Sequence, residues 1–138
     1  MKHKCILLAF IALLSCSALQ SVAQETGTFR EALKLYDYGM FSHSRHRFDG
    51  LDAEFISDPA GYALLCDVRQ RVPGYQRSMD KFIYENPQSS LIPQILYVHS
   101  LNLFDTQDYG ASLAVMDGIN PKHLDKSQRV EFLFKKAY

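Results

Sequence analysis

Tryptophan is absent from these 138 residues, and cysteine nearly so. Of three cysteines, Cys5 and Cys16 lie near the start, which leaves Cys66 alone in the remainder. One thiol cannot close an intrachain disulfide, so no crosslinked framework is available there. No apolar run approaches the roughly 20 residues that a bilayer-crossing helix needs. Charge of one sign is also missing, since Lys plus Arg and Asp plus Glu each number 15. That balance leaves no basic footprint for nucleic acid and no steering toward an anionic membrane surface. Gly-rich phosphate loops, Gly-x-Ser-x-Gly elbows, Cys-x-x-Cys pairs and His-Glu-x-x-His spacings are all absent. The chemistry that each of those motifs would position is therefore not expected. Neither a cofactor nor a metal is expected, and the chain does not read as an enzyme.

The first 23 residues read as a targeting segment. Lys2, His3 and Lys4 precede the apolar run Ile6 to Leu14, and Ser21-Val22-Ala23 supplies the small residues of a cleavage site before Gln24. A second export reading takes Leu13-Leu14-Ser15-Cys16 as a lipobox, with a lipid anchor at Cys16. Removing residues 1–23 takes away Lys2 and Lys4 and no acid, leaving 13 basic against 15 acidic residues, a net charge of −2.

The remainder repeats. Phe41, Tyr75 and Tyr109 are spaced by 34, as are Ser44, Ser78 and Ser112, then Phe48, Phe82 and Met116, then Ala32, Cys66 and Ser100. Leu51 and Ile119 share a fifth slot, with Glu85 the poor member between them. The small residues predict close helix approach. Each serine is expected to be buried, its hydroxyl bonded to the carbonyl four residues earlier. Cys66 takes a packing slot, so inert packing is the reading of that thiol.

Helix signals agree with the register. Thr28 with Glu31, and Asp125 with Gln128, form candidate capping boxes. Asp58-Pro59 places a cap before a first-turn proline, and Pro93 fits only a first turn. Gly39, Pro73-Gly74 and Asn120-Pro121 punctuate turns. Helices are predicted near 28–39, 42–53, 59–72, 75–86, 91–106, 109–118 and 126–138, with no strands. His43 and His46 lack a third ligand nearby and read as solvated. Asp49, Asp52 and Glu54 read as a solvated helix end, since their spacing does not match a calcium loop. Arg69 and Arg71, near Asp67, read as an exposed charge face.

A 34-residue period of paired helices is the length of the tetratricopeptide repeat. The stretches Gly39 to Phe48, Gly74 to Phe82 and Asp108 to Met116 resemble that family's turn and second helix. Thr28/Ala32/Leu35, Tyr62/Leu65/Cys66 and Leu96/Ser100/Leu103 are similar to its first helix. The family's tryptophan is absent, Arg69 replaces a tyrosine or leucine, and the terminal proline is displaced. The resemblance implies an all-α, right-handed superhelical solenoid of antiparallel pairs over residues 24–138. Its repeats fall at about 25–58, 59–92 and 93–124, with a partial repeat at 125–138. Val130 to Tyr138 looks like a first helix without its second. A solenoid closes on a polar-faced cap, so the chain is expected to be the N-terminal part of a longer protein.

What the resemblance implies for function is a scaffold or adaptor that binds a protein or peptide, in the manner of exported repeat proteins of the Bacteroidota type. The location would be periplasmic or outer-membrane associated. In this family the first helices line a concave groove. Slot by slot, that groove would hold Tyr36 and Asp37 beside Phe29 and Leu33. Asp67, Gln70 and Arg71 follow beside Ala63, then Tyr97, Leu101, Phe104 and Asp105. The alternative for Tyr36, Leu101 and Phe104 is packing against a neighbouring helix. A carboxylate clamp of the chaperone-binding kind is not expected, because Phe29, Leu33 and Leu64 stand at its positions. Two other functions stay open: a lipid-anchored component of an outer-membrane assembly or Tol-Pal-type complex, and the repeat region of a longer enzyme.

Overall fold

A computed structural model describes residues 27–51 and 58–138. The segment expected to direct export, with Cys5 and Cys16, and also Asp52 and Glu54, lie outside the described residues. Those described residues are all-helical. Residues 27–37 form α1, followed by α2 (Phe41–Asp49), α3 (Pro59–Gln70), α4 (Tyr75–Glu85), α5 (Ile92–Asp105), α6 (Tyr109–Asp117) and α7 (Lys126–Ala137), with a 3-10 turn at Pro121–His123. No helix among them is long and apolar enough to cross a membrane.

Local chemistry explains the starts of α3, α6 and α7. Asp58 accepts a hydrogen bond from the Gly61 amide at 2.9 Å, and Pro59 follows it in the first turn. Only glycine fits at position 61, because a Cβ would stand 2.8 Å from the Leu91 side chain. Asp125 and Gln128 close a reciprocal capping box on α7, and Asp108 caps α6 through the Ala111 amide. The capping box expected of Thr28 and Glu31 falls at the edge of the described residues, where Gly27 and Thr28 are both already helical. Gly50 ends α2 at Asp49, earlier than the predicted 53.

Contacts order the helices. Phe29 meets Phe48, Ser44 reaches the Ala32 carbonyl and Tyr36 meets Phe41, so α1 and α2 run antiparallel. Ser112 to Ser100 and Phe104 to Tyr109 set α5 against α6 in the same way. By contrast α1, α3, α5 and α7 lie side by side and run in one direction. Tyr36 meets Arg69, Val68 meets Asn102, and Tyr97 meets Glu131. Two core clusters result. One joins α1, α2 and α3 around Ala32, Phe48 and Cys66, and the larger spans α3 to α7 around Leu65, Ile95, Val98 and Phe132.

The 34-residue register is kept by the outer pairs and broken in the middle one. Ser44 and Ser112 are buried, and their hydroxyls donate at 2.8 and 2.9 Å to the carbonyls of Ala32 and Ser100. The acceptor lies on the neighbouring helix and not four residues earlier on the same one, as expected from sequence. Ser78 is exposed, contrary to expectation. The cause is Pro73. The turns after α1 and α5 place Gly39 (φ 74°) and Gln107 (φ 64°) in the left-handed region, at equivalent register positions. Both helices then end alike, with Met40 N–H donating to Leu35 and Asp108 N–H to Leu103. The middle position is Pro73, whose ring holds φ near −65° and excludes that conformation. Helix α3 ends one residue early at Gln70 and its left-handed residue comes two early, at Arg71 (φ 55°), with Gly74 (φ 83°) as a second turning point. Helix α4 then presents Tyr75, Met79 and Phe82 inward and turns Ser78 outward.

Candidate partner-binding face

The nine residues expected to line a groove fall on α1, α3 and α5, and most of them tie those helices together. Tyr36 is half-buried against Phe41, and its hydroxyl accepts a hydrogen bond from Arg69 Nε at 3.0 Å. Burial raises its pKa, partly opposed by Arg69. Asp67 accepts from Arg45 Nε at 2.5 Å, which holds α2 on α3 and raises the Arg45 pKa. Gln70 accepts from the Ser42 hydroxyl and donates to the Cys66 carbonyl at 3.2 Å. That carbonyl is the one Ser78 would have reached by register. Arg71 forks across to α5, with Nε 3.0 Å from Asn102 Oδ1 and a terminal nitrogen 2.6 Å from Asp105.

Tyr97 is a correction. It is 1% exposed and faces α7, where its hydroxyl donates to Glu131 at 2.7 Å. Burial, then the bond to Glu131, raises its pKa. Leu101 is half-buried and packs on the larger core. Phe104 meets the rings of Tyr109 and Tyr138, and the Lys135 ammonium lies 4.6 Å from its centroid. Packing against neighbours, the alternative left open for Tyr36, Leu101 and Phe104, is what these contacts display. Asp37, Gln70, Arg71 and Asp105 remain exposed along the same face.

Residues that pattern reading missed complete these ties. Asn102 is buried and donates from Nδ2 to the Val68 carbonyl at 2.8 Å, so one side chain satisfies both α3 and Arg71. Lys135 pairs with Glu131 and Asp105 at 3.4 and 3.6 Å. The spacing carried a usable signal, since Asn102 and Val68, Asp105 and Arg71, and Glu131 and Tyr97 are each 34 apart.

Other singled-out residues have plain positions. Cys66 is fully buried beside the Ser44 hydroxyl, and burial raises its thiol pKa, which keeps it protonated and unreactive. His43 and His46 are exposed and border a shallow depression of 670 Å³ with Glu31 and Arg47. No cluster of three or more metal-ligating side chains occurs among the described residues. Asp49 pairs with Arg45 one turn away.

Apolar exposure gathers elsewhere, on α6 and α7. Tyr109, Leu113, Val130, Leu133, Phe134 and Tyr138 are exposed there. A cleft of 280 Å³ between these helices is lined by Phe104, Tyr109, Leu113, Met116 and Tyr138, with Lys135 and Lys136 at its rim. No family model matches the chain, and neither a curated protein nor a solved structure matches it.

Proposed function

We propose that this chain is a non-catalytic interaction scaffold built as a solenoid of tetratricopeptide-like repeats, exported to the cell envelope, where it binds a segment of another protein. One observation carries the reading. The same contacts recur at twice the 34-residue period: Ser44 on Ala32 and Ser112 on Ser100, Tyr36 on Phe41 and Phe104 on Tyr109. A stack of such pairs presents one extended face along its parallel helices, which suits recognition of a partner chain. The exposed members of that face, Asp37, Gln70, Arg71 and Asp105, are polar. The apolar side chains that dominate binding energetics concentrate at the α6–α7 end.

The test is photo-crosslinking in the native cell, with a photoreactive residue at Asp37, Gln70 or Phe134 in turn. A discrete adduct with another protein in the envelope fraction is expected from at least one position. Absence of adducts from all three refutes the scaffold reading. N-terminal sequencing of the recovered chain should give Gln24. Fatty-acid incorporation that Cys16→Ser abolishes would instead establish a lipid anchor.

A further inference from the structure

We propose that α4 is an acid-released flap, latched by the hydrogen bond between Tyr75 and His99 and able to lift away while α3 and α5 stay packed on each other. The device goes beyond the scaffold reading and does not depend on the identity of any partner.

The fastening of α4 is sparse. Ser78, which by register would tie it to α3 as Ser44 ties α2 to α1, faces solvent. Tyr75 to His99, at 2.9 Å, is the one hydrogen bond or ion pair through which a side chain of α4 reaches another helix among the described residues. Lys81 with Glu85 and Asn86 with Phe82 close locally on α4 itself. By contrast α2 is tied to α1 and α3 through Ser42, Ser44, Arg45 and Arg47. What else holds α4 is the burial of Tyr75, Met79 and Phe82.

The neighbouring helices do not need α4 between them. Asn102 donates to the Val68 carbonyl, and Arg71 reaches Asn102 and Asp105, all directly between α3 and α5. Ser89, just before α5, donates to Asp58, the cap of α3. These ties fix the chain on both sides of α4, at Arg71 before it and Ser89 after it. Gly74 (φ 83°) stands at the first join, in a conformation that suits glycine and offers a pivot. Helix α4 can therefore open as a unit, below the cost of global unfolding.

The latch is titratable. His99 and Tyr75 are both buried. The Tyr75 hydroxyl has no second acceptor among the described residues, so both groups are satisfied when it donates to Nδ1 and Nε2 carries the ring hydrogen. A proton added at Nδ1 turns that acceptor into a donor, strands the phenolic hydrogen and buries a charge. The Asp80 carboxylate, also on α4, acts on His99 and favours the proton, but burial outweighs it and holds the pKa below 6.5. Arg71 lines a pocket beside Tyr75, yet its guanidinium is held on Asn102 and Asp105. Among the described residues α3, α6 and α7 bring no charged side chain to bear on His99. Once α4 lifts, His99 meets water and regains its ordinary proton affinity. The open form thus protonates first as pH falls through 6.5. The opening equilibrium then rises by up to about tenfold per pH unit, until the closed form protonates as well.

Hydrogen–deuterium exchange of the full chain tests this, read by mass spectrometry from about pH 7.5 to about pH 5 and corrected for intrinsic amide rates. Peptides from residues 75–85 should lose protection below pH 6.5, by up to about tenfold per unit, while those from 59–70 and 92–105 keep theirs. His99→Gln should abolish the pH response of α4. Glutamine at His43, His46 and His123, which are exposed, should leave it intact. The wild-type chain decides the matter even if His99→Gln fails to fold, because its His99 ring, followed by NMR, should titrate below 6.5. The proposal is overturned if α4 protection is flat across the range, or if α3 and α5 lose protection in parallel with it. It is also overturned if the response survives in a folded His99→Gln chain, or if His99 titrates at or above 6.5.

Discussion

The same substitution at two equivalent serines should have very different consequences. Ser112→Phe removes a buried hydroxyl whose bond to the Ser100 carbonyl is 2.9 Å long. A net hydrogen bond of this kind contributes about 0.5–1.5 kcal/mol. The phenyl ring must also enter a contact that is 1% exposed, where α5 and α6 meet through Ser100 and Ser112. Overpacking of that sort costs about 1–3 kcal/mol. Together the change should cost about 1.5–4.5 kcal/mol, a large share of the roughly 5–15 kcal/mol that stabilises a domain. Ser78→Phe adds a ring at an exposed position and should stay within about 0.5 kcal/mol. Urea unfolding followed by far-UV circular dichroism measures both. Equal destabilisation by the two variants would refute the argument that Pro73 rotates α4 out of register. A neutral Ser112→Phe would refute the burial of the slot.

Further outcomes follow from buried groups. His99 is buried with Nδ1 2.9 Å from the Tyr75 hydroxyl, and burial lowers its pKa below the ordinary 6.5. As pH falls from 6.5 toward that lower value, the unfolded chain takes up a proton that the native chain does not. Stability should therefore decline over that window, and His99→Gln should flatten the decline measured by thermal unfolding at a series of pH values. Cys66 should resist alkylation by iodoacetamide in the native chain and react promptly in denaturant; fast native labelling would contradict its burial. Asn102→Ala should cost about 1–3 kcal/mol, because it removes two hydrogen bonds of about 0.5–1.5 kcal/mol each, one to the Val68 carbonyl and one from Arg71. Arg71→Ala should cost about 1 kcal/mol or less, its side chain being half exposed and solvent-screened. Reversal of that order in urea titrations would mean that Arg71 is the main link between α3 and α5.

Much of the fold was legible because helix pairs bury small and large side chains at fixed intervals. Ala32, Cys66 and Ser100 were read as close-packing slots, and all three are fully buried. The caps at Asp58 and Asp125 were equally readable, since a cap needs only its own first turn. The face expected for a partner was less legible. Tyr97 was assigned outward by slot and Phe104 was left between groove and packing, because whether a first-helix side chain meets solvent depends on the next first helix, 34 residues on. Glu131 takes Tyr97, and Tyr138 meets Phe104. The rotation of α4 was encoded in one residue, Pro73, at a position where its neighbours in register adopt positive φ. The spacing pattern weighs side-chain size and says nothing of backbone conformation, so that signal went unread.

The sequence by itself determined the helices, their caps and the 34-residue register, because each depends on residues one turn apart or on a repeated size pattern. Only the tertiary structure decided which polar side chains became ties between parallel helices and which serine faced solvent. Those outcomes depend on the depth and angle at which one helix meets another. That geometry is set outside the residue concerned, by the backbone of the preceding turn at Pro73 for Ser78 and by partners 34 residues on for Tyr97 and Phe104.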